Sequence, residues 1–298
     1  VQTCALPICF DMTFLPIIKA IHSRCPTIKH YVALCDADKL PADSGIPGLL
    51  SYEAWIGAQS SSYQWPSFDE NSASSMCYTS GTTGNPKAAL YSHRSSVLHA
   101  YGAALPDAMG CSAADVILPV VPMFHVMSWG IPFAACLTGA KPVYPGNQLI
   151  GKPIADLIEQ EKVTLAAGVP TIWNVLLQHL KKEKTDISSI RAMVVGGSAA
   201  PPAMIEAYQK EHGVQILHAW GMTETSPLGT VANLKRHMSS WSAEDQLKQR
   251  SKQGAFVPLV EARIVDDAGN PLAWDGKNSG ELQVKGPWIA AAAPICAA

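Results

Sequence analysis

The chain is short of charge: only 15% of its 298 residues are Asp, Glu, Lys or Arg, and their balance is 22 − 24 = −2. No basic footprint exists to neutralise the phosphates of a nucleic acid, which excludes nucleic acid as an expected partner. Paired C-x-x-C motifs are also missing. The eight cysteines (Cys4, Cys9, Cys25, Cys35, Cys77, Cys111, Cys136 and Cys296) are scattered through a chain large enough to need no staples, so reduced thiols in a cytoplasmic setting are expected. His22, Cys25, His30 and Cys35 match no zinc-finger spacing and are expected to be packing residues. The opening residues lack a basic stretch followed by an apolar run and a small-residue cleavage site, so no secretory signal is read there. Neither a heptad nor an internal repeat is visible. Residues 116–140 lack Asp, Glu, Lys and Arg and are long enough to span a bilayer, but Pro119, Pro122, His125, Gly130 and Pro132 interrupt them. A buried strand, a loop and a helix are expected there rather than a transmembrane segment, with contact to a membrane surface left open.

What is present is apolar: 48% of the residues are hydrophobic, enough to bury one large core or two medium ones. Residues 59–75 (QSSSYQWPSFDENSASS) are polar, Ser-rich and without period, the signature of a linker or a long surface loop. Beyond them, strands are predicted at Met76–Tyr78, Val116–Val121, Lys141–Tyr144, Val163–Ala167, Arg191–Val195 and Val214–His218. Helices are predicted between them at Pro153–Lys162, Thr171–Lys182 and Pro201–His212. Such alternation predicts an α/β fold of mostly parallel sheets covered by helices, with ligands at the carboxyl ends of the strands. After about Ser240 the pattern changes. Val260–Val265, a turn at Asp266–Asn270 and Glu281–Lys285 predict a smaller antiparallel β subdomain near the C-terminus. The expected organisation is therefore an incomplete leading subdomain and linker over 1–75, a nucleotide- and acyl-binding region over 76–240, the β subdomain over 241–290 and a non-native-looking tail over 291–298.

Three loops carry chemistry. The string Tyr78-Thr79-Ser80-Gly81-Thr82-Thr83-Gly84-Asn85-Pro86-Lys87 is set between a short apolar strand and a Ser92-led helical stretch. Two glycines permit close backbone approach, four hydroxyls can donate to oxyanions, and Lys87 adds a point charge. It is not a Walker A loop, because Asn85 and Pro86 separate Gly84 from Lys87. The second loop, Val195-Gly196-Gly197-Ser198-Ala199-Ala200-Pro201, turns from a strand end into a helix. A hydrolase nucleophile elbow would need Gly where Ala200 stands, and no partnered Asp and His accompany Ser198. The third, His218-Ala219-Trp220-Gly221-Met222-Thr223-Glu224-Thr225, follows a strand directly.

Together these strings resemble the adenylate-forming superfamily of acyl-CoA ligases, peptide-synthetase adenylation domains and beetle luciferases. The resemblance implies that Thr79, Ser80, Gly81, Thr82, Thr83 and Gly84 cradle the phosphates of ATP, that Gly197, Ser198 and Ala199 lie against the adenine, and that His218, Ala219, Trp220, Gly221 and Met222 line the nucleotide. Trp220 offers a flat face to the base, Thr223 a hydroxyl to the α-phosphate, and Glu224, with Thr79, a hard oxygen to Mg2+. Lys87, Thr223 and Glu224 are the expected catalytic residues. The string Pro122-Met123-Phe124-His125-Val126-Met127-Ser128-Trp129 is similar to the acyl-pocket segment of medium- and long-chain fatty-acid–CoA ligases. That likeness implies His125 near the carboxylate and Trp129 as a gate on an acyl tunnel.

The implied reaction has two steps. A carboxylate attacks the α-phosphate of ATP to give acyl-AMP and pyrophosphate, and the thiol of coenzyme A then displaces AMP. Orientation and electrostatics would carry it, since the attacking carboxylate is already ionised. The family's late ribose-binding Asp, its mobile C-terminal domain and its adenylating Lys have no counterpart here, so the chain alone is expected to be nearly inactive. Pro-Ile-Cys recurs at residues 7–9 and 294–296, which suggests that both ends are foreign to a partial reading frame. Ala88-Ala89 stands where the family usually has Gly, and a methyl group there is expected to crowd the loop and so disturb the placement of Lys87. Three other readings compete: a noncatalytic nucleotide-binding fragment, an aryl-acid or peptide-synthetase adenylation domain, and a hydrolase using Ser198.

Overall fold

The computed structural model describes residues 7–79 and 87–290, which fall into two compact units divided after Ser67. The first holds a three-stranded parallel sheet in the order β1 (Pro7–Phe10), β2 (His30–Ala33) and β3 (Leu50–Ser51). Helix α1 (Leu15–Ile21) lies in the crossover from β1 to β2 that parallel strands require, and α2 (Tyr52–Gly57) follows β3. Phe10, Tyr31, Ala33 and Ile46 form its small core.

The second unit begins with an antiparallel hairpin, β4 (Ala73–Thr79) and β5 (Lys87–Ser92), whose last registered pair is Thr79 with Lys87. The sequence predicted a helix next after the phosphate-type loop; a strand intervenes. Ala88, Ala89 and Tyr91 explain it, since all three are buried and pair across to residues 75–78. Ala88 and Ala89 are themselves packed into this strand, while the loop they were expected to crowd lies outside the described residues. Helix α3 (His93–Ala104) then starts at a reciprocal cap: Ser95 N–H donates to Ser92 Oγ and Ser92 N–H to Ser95 Oγ, each at 3.0 Å.

A seven-stranded sheet dominates this unit. Its order is β12 (Ala255–Phe256), β11 (Leu228–Val231), β10 (Gln215–Gly221), β9 (Ala192–Val195), β8 (Leu165–Gly168), β6 (Val116–Pro119) and β7 (Lys141–Pro142). From β10 to β7 neighbouring strands run parallel, and β11 and β12 add an antiparallel margin. Every residue of β8 and β9 is buried, as both-sided coverage by helices demands. A one-turn segment α4 (Val126–Trp129) and helix α5 (Ile131–Thr138) pack with α3 around one core, which includes Trp129, Leu165, Val194 and Trp288. Helices α6 (Lys152–Glu161), α7 (Pro170–Leu180) and α8 (Pro202–His212) flank a second core built on Leu118, Trp173, Met193 and Tyr208. A short surface helix α9 (Ala243–Arg250) precedes β12, and the expected pair β13 (Glu261–Val265) and β14 (Glu281–Lys285) is antiparallel. Residues 116–140 form a buried strand, a turn and a helix, and no helix among the described residues is long and apolar enough to cross a membrane.

The amino ends of the parallel strands are fastened by one buried carboxylate. Asp115 accepts from Arg191 Nε at 2.9 Å, from the Thr164 hydroxyl at 2.7 Å and from Ser112 N–H at 2.8 Å. Burial would raise its pKa, but the Arg191 guanidinium, Thr164 and Ser112 outweigh that and hold it down at about 2.

Candidate active site

At the carboxyl ends of the parallel strands a single cavity of about 510 Å³ opens. Thr79 and Lys87, from the facing ends of the β4–β5 hairpin, line it together with Thr223 and Glu224 from the turn after β10. Ala219, Trp220, Gly221 and Met222 continue the same wall. His125, Trp129 and Gly197 complete the predicted residues found there. Ser80, Gly81, Thr82, Thr83 and Gly84 lie outside the described residues.

Three predicted residues are not among the lining. Ser198 and Ala199 are exposed beside it. His218 is 1% exposed, and both its ring nitrogens are engaged: Ala200 N–H reaches Nε2 at 3.3 Å, and Nδ1 lies 3.2 Å from the Ser251 carbonyl. A carbonyl oxygen can only accept, so Nδ1 carries the proton. Burial lowers the pKa of this imidazole, and its ring joins the start of α8 to the end of α9.

Local structure explains how the lining is held. Residues 223–225 form a tight turn in which Met222 N–H donates to Thr225 Oγ1 at 2.8 Å. Two outside groups fix its main chain: the Tyr91 hydroxyl donates to the Thr223 carbonyl at 2.7 Å, and Ala290 N–H donates to the Glu224 carbonyl at 2.8 Å. Tyr91 thus joins the hairpin bearing Thr79 and Lys87 to the turn bearing Glu224. Burial, with Cys77 and Glu224 nearby, raises the phenol pKa, so the group remains a donor at any ordinary pH.

The His125–Trp129 stretch is held less conventionally. Val126, Met127, Ser128 and Trp129 all have positive φ, between 46° and 58°, and Gly130 follows at 68°. A left-handed turn of L-residues costs roughly 1–2 kcal/mol per residue, so surrounding contacts must impose it. Ser128, fully buried, donates from Oγ to the Val121 carbonyl at 2.7 Å. The Trp129 indole lies over Gly196, where a Cβ would come within 3.3 Å of the ring. Gly130 ends the turn beneath His99, whose ring a Cβ would meet at 2.6 Å. His99 is itself 1% exposed, accepts the Leu228 N–H at its Nε2 (3.2 Å), and is held neutral by burial, which pushes its pKa down to about 4.

Sequence reasoning missed several wall residues. Val126 and Gly196 lie inside motif strings already noticed, whereas Val194 and Leu228 looked like ordinary strand residues. Pro227 and Met109 also line the cavity. Met109 stands in a loop with no motif, and nothing in the sequence singles it out.

The donor set suits Mg2+ held through phosphates. Thr79 and Glu224 bring hard oxygens to the lining of one cavity, the donor type that Mg2+ takes.

Comparison with known proteins follows the same lines. The chain is 48% identical over 281 residues to the 3-methylmercaptopropionyl-CoA ligase of Ruegeria lacuscaerulensis, covering 94% of the chain and 52% of that relative. It is 47% identical to the medium-chain-fatty-acid–CoA ligase of Ectopseudomonas oleovorans (94% and 51%) and 42% identical to the long-chain-fatty-acid–CoA ligase of Thermus thermophilus (94% and 50%). The chain therefore spans about half the length of the curated relatives it matches. In fold it is similar to a long-chain-fatty-acid-CoA ligase of Archaeoglobus fulgidus, with TM-score 0.79 at 22% identity over 97% of this chain and 55% of the other. An anthranilate CoA ligase in complex with anthranoyl-AMP gives the same TM-score and identity over 96% and 51%. The family profile described as AMP-binding enzyme matches residues 19–292, and with these relatives it makes the chain a member of the AMP-binding enzyme family.

Proposed function

We propose that this chain supplies the nucleotide- and acyl-binding half of a ligase that uses ATP to convert a fatty acid to acyl-AMP and passes the acyl group to coenzyme A. The observation that supports it above all is that Thr79, Lys87, Thr223 and Glu224, from segments distant in sequence, share one cavity with an apolar interior. In this reading Thr79 and Glu224 hold Mg2+, which screens the charge of the triphosphate when bound. Lys87 and Thr223 contact the phosphates beside the hydroxyls of Ser80, Thr82 and Thr83, while Gly81 and Gly84 let the backbone approach. Trp220 stacks on the adenine, and Gly197, Ser198 and Ala199 border it. His218 acts through its main chain, because its ring is already engaged. His125 faces the substrate carboxylate at the mouth, and Trp129 stands between nucleotide and acyl tail. The proposed organisation keeps this site within residues 76–240, with 241–290 as a flanking β subdomain, in a cytoplasmic enzyme.

Calorimetry with ATP, with and without Mg2+, tests the reading. Binding is expected to be tighter with the ion, and Glu224→Gln is expected to remove most of that gain while leaving metal-free binding nearly unchanged. Equal affinity of the wild type with and without Mg2+ would refute the assignment of Thr79 and Glu224. A second reading, a nucleotide-binding piece without turnover of its own, is eliminated by pyrophosphate release on adding ATP, Mg2+ and a fatty acid.

A further inference from the structure

The cavity has an open end and a closed one. At the carboxyl ends of the strands its wall is exposed, at Lys87, His125 and Met222. Inward it is dry: Val194, Leu228 and Trp129 are 1%, 3% and 6% exposed. The last wall residue, Met109, is 2% exposed and sits at the opposite end of the sheet, in the loop before β6. Arg191, the residue before β9, fixes that placement. Its guanidinium donates to the Met109 carbonyl at 3.3 and 3.4 Å while gripping Asp115, the residue before β6. The cavity therefore runs beside β9 from Gly196 down toward the level of Arg191, five residues away, a span of roughly 16 Å at a strand's rise of about 3.3 Å per residue.

We infer that this blind channel takes the unbranched tail of a carboxylic acid of short to medium chain length, and that the Met109 side chain is the end wall that sets the upper limit. The inference rests on the reading of the site as one that activates acids. Among the described residues the inner wall is formed by Met109, Val126, Trp129, Val194 and Leu228, so an apolar tail is the occupant it suits. About 510 Å³ is the size of a pocket for one small ligand, and a nucleotide must share it, which leaves little space for a tail. The wall cannot retreat, because Arg191 holds the Met109 main chain and Asp115 holds Arg191. A thioether side chain adapts its shape but not its volume. A tail one step too long has to overpack the core, a penalty of roughly five- to hundredfold in affinity.

The test is calorimetric titration of this chain with non-hydrolysable acyl-sulfamoyl adenosines carrying acetyl, butyryl, hexanoyl, octanoyl, dodecanoyl and palmitoyl tails. Affinity is expected to climb by up to roughly fourfold per buried methylene, then to break and fall before palmitoyl. Met109→Ala should move the break toward longer tails by at least one member of the series, and Met109→Phe toward shorter ones, with AMP affinity unchanged in both. Met204→Ala, a buried methionine of the other core, should leave the break in place. A wild-type series that rises without a break to palmitoyl, or a break that ignores both Met109 variants, overturns the inference. If Met109→Ala loses its fold by circular dichroism, Met109→Leu and Met109→Phe decide the matter. Failure of every member of the series, together with AMP, to bind refutes the acid-activation reading instead.

Discussion

Two buried side chains outside every motif do much of the fastening at the site. Tyr91 donates its hydroxyl to the Thr223 carbonyl, and Tyr91→Phe deletes that bond together with the hydroxyl's contact to Cys77. The variant is expected to lose about 1 kcal/mol of stability, to be read from urea unfolding, and to weaken Mg-ATP binding several-fold as the turn loosens. His99 makes a prediction about pH. Its folded pKa, about 4, lies below the ordinary value of 6.5, so the unfolded chain binds the extra proton first. Stability from this group is complete above about 6.5 and declines as pH falls toward 4. His99→Gln is therefore expected to be less stable at neutral pH but to show a flatter profile over that window, measured by unfolding midpoints along a pH series.

At the scale of elements, the left-handed turn is the feature that composition could not disclose. Val126-Met127-Ser128-Trp129 contains none of the Gly or Asn that usually mark positive φ, and its conformation is imposed by Ser128, Trp129 and Gly130 through contacts remote in sequence. Gly130→Ala and Gly139→Ala separate the two contributions. Both glycines have φ near 70°, but a methyl at 130 strikes His99 whereas at 139 the nearest atom is 3.9 Å away. Gly139→Ala should cost about 1 kcal/mol and Gly130→Ala about 2 kcal/mol more, by thermal or denaturant unfolding. Elements with a local cause were legible: apolar runs fixed β6, β8, β9 and β10 to within a few residues, and proline near the helix starts marked α6, α7 and α8. The strand β5 escaped because the Ser92 cap drew attention to the helix beyond it. Of the cavity wall, the motif residues could be read directly, while Met109 and Tyr91 could not, since each matters only through partners that folding supplies.

For the whole molecule, the described residues that line the cavity all belong to the larger unit. Saturating Mg-ATP is expected to slow amide hydrogen exchange in β9, β10 and residues 222–228 by a factor approaching the ratio of ligand to its dissociation constant. Protection confined to other segments would mean that the nucleotide binds elsewhere.

The order of strands in the large sheet has a consequence for synthesis. After β7 and β8 have flanked β6, each later strand, from β9 through β12, joins the edge left by the one before it, so the sheet can lengthen in the direction in which the ribosome delivers the chain. Met109 is made early, but Leu228, which lines the same cavity, is on one of the last strands to arrive. A nascent chain halted before β11 would hold a trough, not a pocket, and nothing that binds the finished site could stabilise it until that strand had docked.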